Sequence, residues 1–220
     1  MTPVRKFLDR VRLMRFFFQL VADPTKTERI FDMLPIFVRS ADPKQLADFE
    51  TSLLAHEGFK QQWEERFVPA QPTMKELGAY AEGTFGRALF DHLTKYGLDL
   101  EFYPQMPLER PVDYLSVRMS QDHDFLHALL GRSIEVDDEI AIQAFGVAQV
   151  GSLLGVVLVA GGLLHLFRKD PRRAIAAMEG ISETYQIGKR AKNLVGLRLR
   201  DHLARPIAEV RQEFGLVRAS

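Results

Sequence analysis

The chain has 220 residues, with 29 Lys+Arg against 29 Asp+Glu, six histidines and no cysteine. That length bounds it to one large domain or two small ones and is ample for a sizeable core. Balanced charge asks for no nucleic-acid partner, and the missing cysteines exclude disulfides, thiolate catalysis and Cys-based zinc sites, so any transition metal must be held by His and carboxylate.

Helical periodicity starts at once. Val4, Phe7, Leu8, Val11, Met14 and Phe18 recur at helical spacing with arginines on other faces, which predicts an amphipathic helix over about 3–21. Such a helix either docks on the core or lies in a membrane interface. The first twenty residues show no apolar run with a small-residue cleavage site, so a cytoplasmic, bacterial-type protein without a signal or transit peptide is expected. Asp23-Pro24 and Asp42-Pro43 each read as an N-cap followed by proline at the first helical position. Further helices are predicted at about 44–54, 57–66, 73–81, 84–96, 113–130, 137–167, 170–190 and 203–214. The stretch 98–112, with Pro104, Pro107 and Pro111, reads as a loop. No alternating strand, repeat or flexible linker stands out. The expectation is one all-α domain over 1–220, a helical bundle with a long central apolar helix.

That central helix is the segment from Ile140 to Phe167, which contains no formally charged residue. It is long enough to span a bilayer. Gln143, Gln149, Ser152 and the Gly161-Gly162 pair interrupt it, so a buried bundle helix or a dimer interface is the expected role. Gly151 and Gly155 form a small-xxx-small pair that leaves room for a neighbouring helix or an apolar ligand.

The chemistry concentrates at HDFLH, residues 123–127. Residues four apart on a helix share one face, so His123 and His127 point the same way and can reach one metal ion. Asp124 sits about 100° around the helix and either bends in as a third ligand or orients a histidine. Gly131 ends the histidine helix, and an acidic run, Val136-Asp137-Asp138-Glu139, opens the next. Glu139 is the leading further ligand, favoured by the helix N-terminus, with Asp137 and Asp138 as rivals. The other histidines, His56, His92, His165 and His202, have no comparable company in sequence and read as structural.

HDFLH followed, after eleven intervening residues, by Glu139 resembles the His-Asp-x-x-His-x11-Glu signature of the fourth coenzyme Q biosynthesis protein family. EGTFGR at 82–87 is similar to that family's Pro-x-Gly-Thr-x-Gly-Arg stretch. Arg118 also matches, as do YQIGKRAKNL (185–194) and RPIAEVRQEFGL (205–216). The chain departs from the family at QVGSLLG (149–155), where a proline is frequent, and at Leu199-Arg200, where Trp-Glu is frequent.

The resemblance implies an all-α protein of the ubiquinone pathway whose His123, Asp124, His127 and Glu139 bind a divalent metal, zinc first, with magnesium, iron or manganese as alternatives. It implies a prenylated aromatic or other isoprenoid lipid as ligand, and a membrane-surface assembly with other ubiquinone biosynthesis proteins. It further implies removal of the ring carboxylate at C1 of a prenylated hydroxybenzoate, coupled in one version to hydroxylation. Beside it stands a scaffold reading, in which a structural metal supports a quinone-binding protein. A homodimer through the apolar helix fits either.

The chain's own residues suggest roles within that picture. Glu139 and Arg118 are the expected catalytic pair, Arg118 lying about one and a half turns before His123 and facing an anionic substrate group. Gly83, Thr84, Gly86 and Arg87 read as a loop whose backbone N–H groups meet an anion. Gly151, Gly155 and the Phe16-Phe17-Phe18 cluster read as the lining of a prenyl tunnel, where each buried CH₂ contributes about 0.8 kcal/mol.

Overall fold

A computed structural model describes residues 3–24, 28–100 and 108–217. Within them the chain forms α1 (Pro3–Ala22), α2 (Glu28–Ser40), α3 (Pro43–Leu54), α4 (Glu57–Glu64), α5 (Met74–Gly78) and α6 (Phe85–Tyr96). Then come α7 (Pro111–Gln121), α8 (His123–Leu130), α9 (Val136–Val150), α10 (Leu153–Lys169), α11 (Pro171–Arg190) and α12 (Ile207–Phe214). Short 3₁₀ turns at Leu194–Gly196 and Leu199–His202 precede α12. The described residues contain no β-strand, only an isolated bridge between Thr84 and Pro206. The all-α class expected from periodicity is met.

The predicted starts have physical causes that the structure makes explicit. Asp42 Oδ1 accepts from the backbone N–H of Lys44 (3.0 Å) and Gln45 (3.1 Å), satisfying two orphan donors at the start of α3. Thr73 and Glu76 form a capping box on α5, and Thr84 Oγ1 accepts from Arg87 N at the start of α6. Pro111 takes the first turn of α7, where a missing N–H costs nothing. The middle of the predicted 98–112 loop, 101–107 with Pro104 and Pro107, lies outside the described residues. Residues 25–27, beside the Asp23-Pro24 start, lie outside them as well.

Packing groups the chain into two units, one of 1–51 with 135–185 and one of 52–134 with 186–220. In the first, α10 packs on α9 and on α1, and α1 packs on α2. Phe16, Leu20 and Leu158 make one apolar cluster, Ile140, Leu166, Ala174 and Ala177 another. Asp9, fully buried on α1, takes both oxygens to Arg39 of α2 at 2.8 Å each. Arg39 holds the Asp9 carboxyl below the usual carboxylate range. His165 Nδ1 lies 3.0 Å from the Val21 carbonyl oxygen, which ties α10 to the end of α1.

The long helix expected over 137–167 is two helices. Gly151 adopts the left-handed conformation (φ 66°) that ends α9, and Ser152 starts α10 by accepting from Gly155 N at 3.0 Å. Gly151 and Gly155 therefore do not share one helix face. A side chain on Gly155 would meet Val147, and side chains on Gly161 and Gly162 would meet Leu20 and Ile140. These small residues bring α10 close to α1 and α9. Among the described residues no helix is long and apolar enough to cross a membrane.

In the second unit, α6 packs on α5 and α8. Its core holds Leu77, Phe85, Leu89, Leu93, Phe125, Leu129, Val210 and Phe214, each 1% exposed or less. Tyr114, against Phe59 and Trp63, donates its hydroxyl to the Phe67 carbonyl at 2.6 Å, and burial pushes the phenol up to about 12. The helix expected over 113–130 also divides, at Asp122, into α7 and α8.

Candidate metal centre

α8 is eight residues long and carries His123 at its first position and His127 one turn on. Their rings meet edge to face, with centroids 4.7 Å apart, and the two Nε2 atoms are 3.1 Å apart. Two nitrogens on a tetrahedral zinc stand about 3.3 Å apart, given Zn–N bonds near 2.0–2.1 Å. Past the left-handed Gly131, the chain returns so that the Arg132 carbonyl oxygen lies 3.3 Å from His127 Nδ1. That contact selects the tautomer with the proton on Nδ1 and leaves the Nε2 lone pair for an ion, the usual arrangement of a ligating histidine.

Glu139 lies in the first turn of α9. His127 is buried; His123 and Glu139 are partly exposed. Imidazoles and carboxylates are donors that suit zinc and other divalent first-row metals, so the residue types present fit the group. Of the rival carboxylates, Asp137 is engaged by Arg173 at 2.8 Å. Asp124 is buried on α8, directly after His123.

The sequence gives no sign of His92. From α6 it stacks on His127 with centroids 5.2 Å apart and planes at 22°, and it meets Tyr96 edge on. Only the packing of α6 on α8 produces this contact, since no spacing rule links residues 92 and 127.

Three expected roles are placed differently. Arg118 is 1% exposed, too buried to reach out to a substrate in solution. Its Nη2 donates to Asp122 Oδ2 at 2.5 Å and to the Leu197 carbonyl at 3.3 Å, while its Nε and Nη1 are buried with no hydrogen-bond partner among the described residues. The 83–87 loop is not an open cradle of donors. Phe85 N and Gly86 N donate to the Arg205 and Leu203 carbonyls (2.9 and 2.8 Å), and the Gly83 carbonyl accepts from Ile207 N. Gly86 is required for closeness, since a Cβ there would sit 2.3 Å from the Tyr80 ring. The loop anchors the C-terminal segment. Of the Phe16-Phe17-Phe18 cluster, Phe16 is core and Phe18 is exposed beside an open apolar groove on α1 lined by Val11, Met14 and Ala22.

Residues 38–220 match the family model of "Coenzyme Q (ubiquinone) biosynthesis protein Coq4". The chain is similar to "Ubiquinone biosynthesis protein COQ4, mitochondrial" of Laccaria bicolor, at 25% identity over 145 residues, 65% of this chain and 48% of that protein. It is similar also to "Ubiquinone biosynthesis protein COQ4 homolog, mitochondrial" of Bos taurus, at 26% identity over 145 residues, 65% of this chain and 54% of that protein. The chain thus spans about half the length of the curated relatives it matches. A crystal structure of a Nostoc punctiforme PCC 73102 protein shares the fold, with a TM-score of 0.79 at 23% identity, covering 96% of this chain and 97% of that one.

Proposed function

This chain belongs to the coenzyme Q (ubiquinone) biosynthesis protein Coq4 family, and from that premise we propose that it is a metal-dependent decarboxylase of the ubiquinone pathway. The observation that carries the proposal is the His123–His127 pair, whose two Nε2 atoms stand 3.1 Å apart. These two would hold the ion, zinc first by donor chemistry, with Glu139 and Asp124 as the carboxylates that would complete the set. A bound divalent ion supplies Lewis acidity toward a carboxylate or phenolate oxygen.

The substrate in this reading is a prenylated hydroxybenzoate. The bond that breaks joins ring C1 to its carboxylate, carbon dioxide leaves, and a proton replaces it on C1. The protein's own part is to fix the two histidines. The Arg132 carbonyl holds His127 in the ligating tautomer, and packing against His92 fixes the plane of its ring. Glu139, in the first turn of the next helix, would supply a carboxylate to balance part of the ion's charge. Arg118 serves the frame that carries the site rather than the substrate.

The reading also puts the protein at a membrane surface. Val4, Phe7, Leu8, Val11, Met14 and Phe18 of α1 are all exposed, beside Arg5, Lys6, Arg10, Arg12 and Arg15. An exposed apolar stripe flanked by arginines suits an anionic lipid interface, where an isoprenoid ligand partitions. That face equally supports the scaffold alternative, in which lipid is presented to other enzymes and the ion is structural.

One assay separates the two. Metal-free protein is reloaded with zinc, iron, manganese or magnesium and given a prenylated hydroxybenzoate, and carbon dioxide release is measured. The enzyme reading expects release with at least one metal and none from metal-free protein or from His123→Ala, which loses bound metal while retaining its helical circular dichroism. Recovery of intact lipid with no release under any metal rejects the decarboxylase in favour of the scaffold. Full metal retention in His123→Ala rejects the site.

A further inference from the structure

The helix that carries both histidines is held at each end by an arginine from the C-terminal segment. At its N-terminal end stands Asp122, immediately before His123. Arg200 donates from Nη1 to Asp122 Oδ1 at 2.8 Å and from Nη2 to Gln71 Oε1 at 2.6 Å, while Gln71 Nε2 donates to the Gln121 carbonyl at 3.1 Å. At its C-terminal end, Arg211 of α12 donates from Nε to the Leu129 carbonyl at 2.7 Å and from Nη2 to the Ala128 carbonyl at 3.0 Å.

Eight residues are too few for a helix to be stable alone, and its last carbonyls have no partner within it. α8 therefore depends on groups outside itself for its length and direction. Arg211 takes the two carbonyls next to His127, and a cation at a helix C-terminus is also favoured by the dipole. Fraying there breaks the His127–Arg132 contact that fixes the tautomer. Release of Asp122 lets the α7–α8 junction, and so the direction of His123, drift.

We infer that Arg200 and Arg211 are positioning residues for the His123–His127 pair, so that the C-terminal segment, which supplies no ligand, sets how tightly the site holds its ion. This rests on the metal reading above, but it makes a separate statement about ring geometry.

The test uses the full chain with cobalt(II) as probe, read by its visible absorption and by competition against a chelator. Arg211→Ala and Arg200→Gln weaken cobalt binding on the order of tenfold, as expected for groups that orient ligands, and shift the absorption bands. Arg211→Lys, which keeps the charge and one donor, recovers part of both. Leu53→Ala, a cavity in a buried position away from these contacts, lowers the melting temperature but keeps affinity and spectrum. If Arg211→Ala and Arg200→Gln behave like Leu53→Ala, the inference is overturned.

The same variants are compared without metal by the ring Cε1 resonances of His123 and His127. These move in the arginine variants and not in Leu53→Ala. If the wild type binds no cobalt, the metal reading fails, and the ring resonances still decide the positioning role. Should Arg211→Ala not fold, Arg211→Lys and Arg200→Gln carry the comparison, and unmoved rings in both overturn it.

Discussion

At Gly151 the chain passes from one helix to the next with backbone geometry and one hydroxyl, whereas at Asp122 it does so under two arginines. The first junction is apolar. Gly151 supplies the left-handed turn, Ser152 caps the new helix, and the glycines at 161 and 162 let α10 approach its neighbours. The second junction is charged and buried: Asp122, Arg118 and Arg200 have side-chain exposures of 8, 0 and 12%. A glycine junction is fixed by a left-handed backbone conformation that other residues rarely adopt. A charged junction is fixed by the cost of leaving any member without its partner. The charged one adjoins His123, where a ring must be aimed, and the apolar one lies at the surface, where Gly151, Leu153 and Val156 are exposed.

The contrast can be broken most severely at Asp122. Asp122→Ala leaves two buried guanidinium groups without their carboxylate and is expected to cost about 3–5 kcal/mol, measured by urea unfolding. A loss under about 1 kcal/mol would show the junction to be effectively solvated. Gly162→Ala tests the apolar side. A Cβ there would lie 2.2 Å from Ile140 Cγ2, so overpacking should cost about 1–3 kcal/mol. If stability rises instead, as expected from helix propensity alone, the close approach of α10 to α9 is wrong. Ser152→Ala removes only the cap of α10 and should cost about 1 kcal/mol, again by urea.

The smallest effect concerns pH. The first unit has a buried ion pair of its own, Asp9 with Arg39, and the hydrogen-bonded Arg39 depresses the Asp9 pKa. A depressed folded pKa gives stability that is present above the unfolded value, about 3.9. That stability is lost as pH falls through the folded value. Asp9→Asn should therefore narrow the gap between melting temperatures at neutral pH and at pH near 3. An unchanged gap would mean that the pair contributes nothing.

The all-α class, most helix starts and the histidine pair were legible because each depends on local rules. Asp42 and Thr84 cap the helices that begin directly after them, and residues four apart share a helix face whatever the fold. Glu139 was reachable for the same reason, since only a five-residue turn separates its helix from α8. The burial of Arg118 and the hydrogen bonds of the 83–87 loop were not legible because exposed and buried uses of arginine and glycine look alike in sequence. Arg118 meets Asp122 at i+4, but what buries the pair is Leu197, Arg200 and the aromatic Phe67, far along the chain.

By itself, then, the sequence determined the helices, the two imidazoles on one face and the carboxylate in the first turn of the next helix, because hydrogen-bonded helical turns are short-range. Tertiary structure alone decided where two long helical patterns break, that His92 stacks on His127, and that arginines 78 and 82 residues away hold α8 at both ends. Those contacts join residues with no local relation, and their energy comes from burial and charge pairing that exist only once the chain has closed on itself.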